Sequence, residues 1–126
     1  MRLMNERSEI RVVADQTGRP TFAPNLARFI IDLLLNTDHR PPGIYHFANK
    51  GAITWHTFAT AIRDRCGYSC SVIPITSAEF PTPARRPHYS ILNTDLTEQT
   101  FGIQIPDWTI GLQACLHQLR EPNQRF

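Results

Sequence analysis

The chain of 126 residues is long enough for one ordinary domain or for part of a larger one, and 41% hydrophobic with 19% charged residues excludes a disordered polar polypeptide. A net charge of +2, with arginines and acids interspersed, excludes an electrostatic nucleic-acid surface and a polybasic membrane patch. No apolar run approaches the roughly 18 residues that span a bilayer.

Taken in chain order, Met1 to Glu9 is helix-compatible but uncapped and reads as the tail of a helix begun elsewhere. Ile10 to Val13 is a short strand, followed by a turn, Asp15-Gln16-Thr17-Gly18-Arg19-Pro20-Thr21, in which Gly18 can take positive φ. That turn is either an ordinary polar loop or a place where side chains and amides gather for a ligand. Pro24 suits a first helical turn, and Leu26, Phe29, Ile30, Leu33 and Leu34 give Pro24 to Asn36 a wide apolar face suited to packing on a sheet. Asp38 to Gly43 is a connector. Ile44 to Ala48 is apolar on both alternating faces, as in a strand covered on both sides of a parallel sheet.

Thr54 caps a helix that places Trp55, Phe58, Ala59 and Ile62 on one face, points His56 away from it and stops at Gly67. Ser71 to Ile75 is a further strand. Thr94 caps a short helix ending at Gly102, and Asp107 caps a last helix carrying Trp108, Leu112, Cys115, Leu116 and Leu119. Alternation of this kind predicts an α/β layer architecture over residues 1–120, with 121–126 as a frayed tail.

Between the last strand and the last two helices lies Pro81-Thr82-Pro83-Ala84-Arg85-Arg86-Pro87. Its prolines forbid a helix and stiffen the loop, so Arg85 and Arg86 are presented with little chain entropy left to lose. Paired guanidiniums so held suit phosphate oxygens, and a solvated basic turn is the plainer alternative.

Several chemistries have no residues here. The glycines (Gly18, Gly43, Gly51, Gly67, Gly102, Gly111) are too far apart for a dinucleotide fingerprint or a phosphate loop. None of Tyr45, Tyr68 and Tyr89 is followed four residues later by a lysine, because Lys50 is the sole lysine. The histidines (His39, His46, His56, His88, His117) do not pair with acids at metal-binding spacing and read as surface or core residues. Cys66, Cys70 and Cys115, an odd number without a leader-like N-terminal segment, read as reduced thiols of a cytoplasmic protein; a zinc site would need tighter pairing and a further ligand such as His46 or His56.

The turn Asp15-Gln16-Thr17-Gly18-Arg19-Pro20-Thr21, the segment Gly43-Ile44-Tyr45-His46-Phe47-Ala48, Trp55 with Phe58-Ala59, the proline loop and Pro106-Asp107-Trp108 together resemble the C-terminal part of the dTDP-4-dehydrorhamnose reductase family of extended short-chain dehydrogenase/reductases. The resemblance implies the C-terminal, substrate-binding portion of a Rossmann-type fold that lacks the N-terminal dinucleotide-binding half. The whole enzyme of that family uses NADPH to reduce the 4-keto group of a dTDP-sugar, and its cofactor and catalytic groups lie in the other half. For this chain it therefore implies no bound cofactor, no catalytic residue and no reduction alone. It also implies a dTDP-sugar ligand, with Arg86 and then Arg85 on the diphosphate and Arg19 and Thr21 near the nucleotide end. Asn25 stands where the family usually has an acid, and Asp95 where a lysine is common. Apolar strands left without that half imply self-association. A second reading is a non-catalytic interaction module of the same fold, like the regulatory β subunit of methionine adenosyltransferase.

Overall fold

The computed structural model describes residues 1–35 and 41–120, so the expectations for Asn36, for Asp38 to Arg40 of the connector, for His39 and for the tail 121–126 lie outside the described residues. The chain packs as two compact units, Met1–Gly18 with Ala52–Ile91, and Arg19–Gly51 with Leu92–Phe126.

The first unit begins with helix α1 (Arg2–Glu6) and strand β1 (Glu9–Val13). β1 pairs in parallel with β4 (Ser71–Ile75), Glu9 opposite Ser71 and Val12 opposite Pro74. The ladder is anchored at its ends by Ser71 N donating to Ser8 O and Ala14 N donating to Ile75 O, both 2.8 Å. Pro74, which lacks an N–H, therefore falls among the β4 residues whose backbone groups point away from β1. Helix α3 (Trp55–Cys66) covers the pair, and Met4, Ala59, Cys70 and Val72 form the core with Ile10, Val12, Ile62 and Tyr68 against them. The ends of α3 are local chemistry: Thr54 Oγ1 accepts from Thr57 N at 3.1 Å, and Gly67 takes the left-handed φ of 69° that stops the helix. His56 does not point away as expected. It is half-buried, with Nε2 3.2 Å from Val72 O.

Gly18 also departs from expectation, because its φ is not positive. With Thr17 it forms β2 (Thr17–Gly18), antiparallel to β3 (Ile53–Thr54). Its requirement is space: a Cβ there would lie 3.3 Å from Ser90 Oγ.

The second unit contains α2 (Ala23–Leu35), α4 (Asp95–Phe101) and α5 (Trp108–Arg120). The strand expected over Ile44 to Ala48 is not formed. Its alternating side chains meet helices instead: Tyr45 packs on Phe101 with ring centroids 4.8 Å apart and Phe47 on Phe29 at 5.0 Å, while His46 O accepts from Thr97 Oγ1 at 2.6 Å. Ile44, on the other side, is 83% exposed. The apolar face expected on α2 is only partly buried. Phe29 is buried, but Leu26, Ile30, Ile31, Leu34 and Leu35 are exposed.

Asn49, fully buried at 0% exposure, ties the second unit together. Its Oδ1 accepts from Phe22 N and its Nδ2 donates to Pro106 O, both 2.9 Å. Glu98 does similar work, accepting from Ile105 N at 2.8 Å and pairing with Lys50 Nζ at 2.9 Å. The Ile105 N–H, followed by Lys50, holds the Glu98 carboxyl below the usual range. Thr94 precedes α4 without capping it by its side chain; Asn93 Oδ1 takes the Asp95 N–H at 2.7 Å instead. Asp107 does cap α5, accepting from Thr109 N at 2.9 Å. Asn25, on α2, keeps a buried Nδ2 with no partner among the described residues.

Candidate functional site

In the first unit, two motifs far apart in sequence run side by side. Thr17 N donates to His88 O at 2.7 Å, and Ser90 N and Ser90 Oγ both donate to Thr17 O, at 3.0 and 3.1 Å. The proline loop is thereby latched to the Gly18 turn. A second set of bonds fixes the far side of the loop. Asp15 accepts from Ser77 N at 2.9 and 3.0 Å and from Ser77 Oγ at 2.7 Å, and Gln16 Nε2 donates to Ser77 Oγ at 2.8 Å. His88 Nδ1 lies 3.0 Å from Asp15 O.

These bonds set the local electrostatics. The Ser77 N–H, and after it the Ser77 hydroxyl, hold the Asp15 carboxyl below its usual range. The Thr76 N–H does the same for Glu79, helped by the Thr76 hydroxyl and by Arg11, whose Nη2 lies 3.0 Å from Glu79 Oε1. Both carboxylates are thus anions already engaged by donors.

Two concavities open on this frame. The larger, about 630 Å³, is walled by Val12, Val13, Trp55 and Phe80 with Arg11 and Arg86 among its polar lining. The smaller, about 360 Å³, is formed by the proline loop itself with Arg85, Arg86 and His88. Arg86 faces both. Neither Arg85 nor Arg86 makes a hydrogen bond or ion pair to another described residue, so their donors are free for an anion.

Arg19 and Thr21 belong to the second unit. Arg19 Nη1 donates to Leu92 O at 2.9 Å and lies 3.4 Å from Thr94 Oγ1, and its buried Nε has no partner among the described residues. Thr21 Oγ1 accepts from Asn49 N at 3.2 Å.

Trp55, Phe80 and Arg11 were not visible as lining residues in the sequence. Trp55 fits the apolar period of α3, yet it is 47% exposed and faces the larger cavity. Phe80 precedes Pro81 and carried no periodic signal at all. The cysteines are free thiols, and among the described residues no three His, Cys, Asp or Glu side chains cluster as metal ligands. Among the described residues the glycines with positive φ serve other ends: Gly67 and Gly102 are helix C-caps, and Gly51 packs under Trp108.

A family model described as the RmlD substrate binding domain matches residues 1–121. The chain belongs to the RmlD substrate binding domain family. Within it, the chain is 36% identical to the dTDP-4-dehydrorhamnose reductase of Shigella flexneri, aligning over 94% of this chain and 42% of that protein. It is also 36% identical to the spore coat polysaccharide biosynthesis protein SpsK of Bacillus subtilis, over 94% of this chain and 40% of that one. The crystal structure of the dTDP-4-dehydrorhamnose reductase ortholog from Clostridium acetobutylicum superposes with a TM-score of 0.87 at 34% identity, covering 94% of this chain and 41% of that chain. That of the Bacillus anthracis reductase, solved in complex with NADP, does so with a TM-score of 0.82 at 36% identity, covering 90% of this chain and 39% of that one. The chain thus spans about two fifths of the length of the curated relatives it matches. Its α/β elements are those of part of a Rossmann-type extended short-chain dehydrogenase/reductase. Among the described residues no helix is long and apolar enough to cross a membrane.

Proposed function

We propose that residues 1–120 form the nucleotide-sugar-binding portion of an NADPH-dependent dTDP-4-dehydrorhamnose reductase, serving dTDP-L-rhamnose biosynthesis. One observation carries the reading: a member of the RmlD substrate binding domain family holds Arg86 at the wall of two adjoining concavities with no counter-ion among the described residues. A sugar diphosphate presents its charges on oxygens matched to guanidinium forks. Arg86, with Arg85 beside it, holds the diphosphate. NADPH supplies the hydride when bound, and no step of its chemistry is assigned to this chain. Its own residues bind and orient the sugar nucleotide. The relatives named above are biosynthetic proteins, which favours this reading over an interaction module.

Calorimetric titration with dTDP tests the proposal. Binding that weakens with salt and falls about ten- to a hundredfold in Arg86→Ala is expected for a lost charge-assisted contact. Binding indifferent to Arg86 refutes the assignment. With NADPH and the 4-keto sugar nucleotide, the chain alone is expected to consume no cofactor above a heat-treated control. We further propose that the free chain self-associates, driven by the aliphatic side chains that α2 leaves in water, and that it works in the cytoplasm, where free thiols persist. A monodisperse monomer in sedimentation overturns the self-association.

A further inference from the structure

Arg85 and Arg86 sit on a segment that packing does not hold. Residues 78–90 are exposed throughout, so burial contributes little to where the loop lies. Pro81, Pro83 and Pro87 make it stiff, but stiffness alone aims nothing. A stiff segment pinned at one end still swings, and only a hold at both ends gives its side chains a fixed place.

Both ends are held by one tripeptide, Asp15-Gln16-Thr17. The incoming end is bound through Ser77: its N–H and its hydroxyl donate to the Asp15 carboxylate, and the hydroxyl accepts from Gln16 Nε2. The outgoing end is bound through Thr17, whose N–H donates to His88 O and whose carbonyl accepts from Ser90 N and Ser90 Oγ. Asp15 meets that end too, with its carbonyl oxygen 3.0 Å from His88 Nδ1. The bonds to its carboxylate are charge-assisted, the stronger class. Asp15 itself lines neither concavity.

We infer that Asp15 is a positioning residue: its carboxylate, acting through Ser77, sets the proline loop so that Arg85 and Arg86 present their guanidiniums together to an anion. The inference rests on the nucleotide-sugar reading for the identity of that anion, and adds a residue outside the concavities on which affinity depends. Two effects of removing the carboxylate carry opposite signs. By charge alone, deleting an anionic group from the support of a cationic loop tightens the binding of an anion. Deleting the hold lets the loop swing, and the cost of ordering two long side chains returns at the moment of binding. Because the Ser77 donors already answer the Asp15 charge, the second effect prevails and binding weakens.

Calorimetric titration with dTDP compares the unmodified chain with Asp15→Ala, Arg86→Ala and the double variant. Asp15→Ala is expected to weaken dTDP about tenfold, and by no more than about threefold once Arg86 is already absent. That dependence on Arg86 is a readout that general destabilisation does not produce. Asp15→Asn, which keeps the side-chain volume and removes the charge, is expected to act in the same direction and gives the answer where Asp15→Ala fails to fold. Hydrogen exchange in either variant is expected to quicken at the Thr17 and Ser90 amides and to leave the Thr57 and Ser71 amides protected. Binding unchanged or tightened in both Asp15 variants, weakening that is equal with and without Arg86, or unaltered exchange at Thr17 and Ser90 overturns the positioning role, while Arg86-dependent binding leaves the nucleotide-sugar reading standing. Absence of dTDP binding to the unmodified chain overturns both.

Discussion

Replacing Asn49 by alanine probes the second unit where a single amide joins three segments. The side chain is fully buried and bridges Phe22 N to Pro106 O with two bonds of 2.9 Å. Truncation strands the Phe22 N–H, whereas Pro106 O keeps the Lys50 N–H, which donates to it at 2.9 Å. The stranded donor costs about 1–3 kcal/mol and the lost bond to Pro106 O about 0.5–1.5 kcal/mol, so the loss is about 1.5–4.5 kcal/mol before any relaxation. Against a total of about 5–15 kcal/mol for an ordinary domain, that is a large fraction. Urea unfolding followed by Trp108 emission in a Trp55→Phe background measures it within the unit that contains Asn49. Thr21→Val supplies the internal scale, because it removes the acceptor of the Asn49 N–H and a long exposed bond of 3.4 Å to Arg19 O, and is expected to cost about 1 kcal/mol. A loss below about 1 kcal/mol for Asn49→Ala, or one no larger than that of Thr21→Val, refutes the view that this amide is the tie.

Two further outcomes follow from local geometry. Gly51 has φ +98°, and a Cβ there would run into Trp108 Cδ1, so Gly51→Ala is expected to destabilise by about 2–5 kcal/mol through backbone strain and overpacking, read as a fall in the urea midpoint. Asp15, whose carboxyl is held low by Ser77, contributes stability that is present above the ordinary aspartate range of about pH 4 and lost as pH falls through its lowered value. The stability gap between the unmodified chain and Asp15→Asn is therefore expected to be open at neutral pH and to close in acid; a gap constant across that range contradicts the assignment.

Elements whose cause is local were legible from the residues. Helix α3 is bounded by a threonine cap and a left-handed glycine, both one-residue signals, and β4 coincides with the expected Ser71 to Ile75. Ile44 to Ala48 was misread because alternation describes side chains, whereas a strand is made by a partner's backbone; here the aromatic residues found helices. Gly18 was read for conformation when its need is clearance from Ser90. In the candidate site, the stiffness of the proline loop marked Arg85 and Arg86. The hydrophobic period of α3 could not distinguish a tryptophan facing the core from one facing a cavity, so Trp55 emerged only in three dimensions. Arg19 and Thr21 looked like free polar groups in a turn, and their bonds to Leu92 O and from Asn49 N join residues too distant in sequence to foresee.

The proline in β4 has a consequence for how copies of this chain can meet. A two-stranded ladder has borders able to recruit a foreign strand, the first step toward fibrous growth. On the β4 border Pro74 deletes a donor where an incoming strand would seek one, and the β1 border is flanked by the exposed charges of Glu9 and Arg11. Such guards disfavour open-ended growth by strand addition at either border.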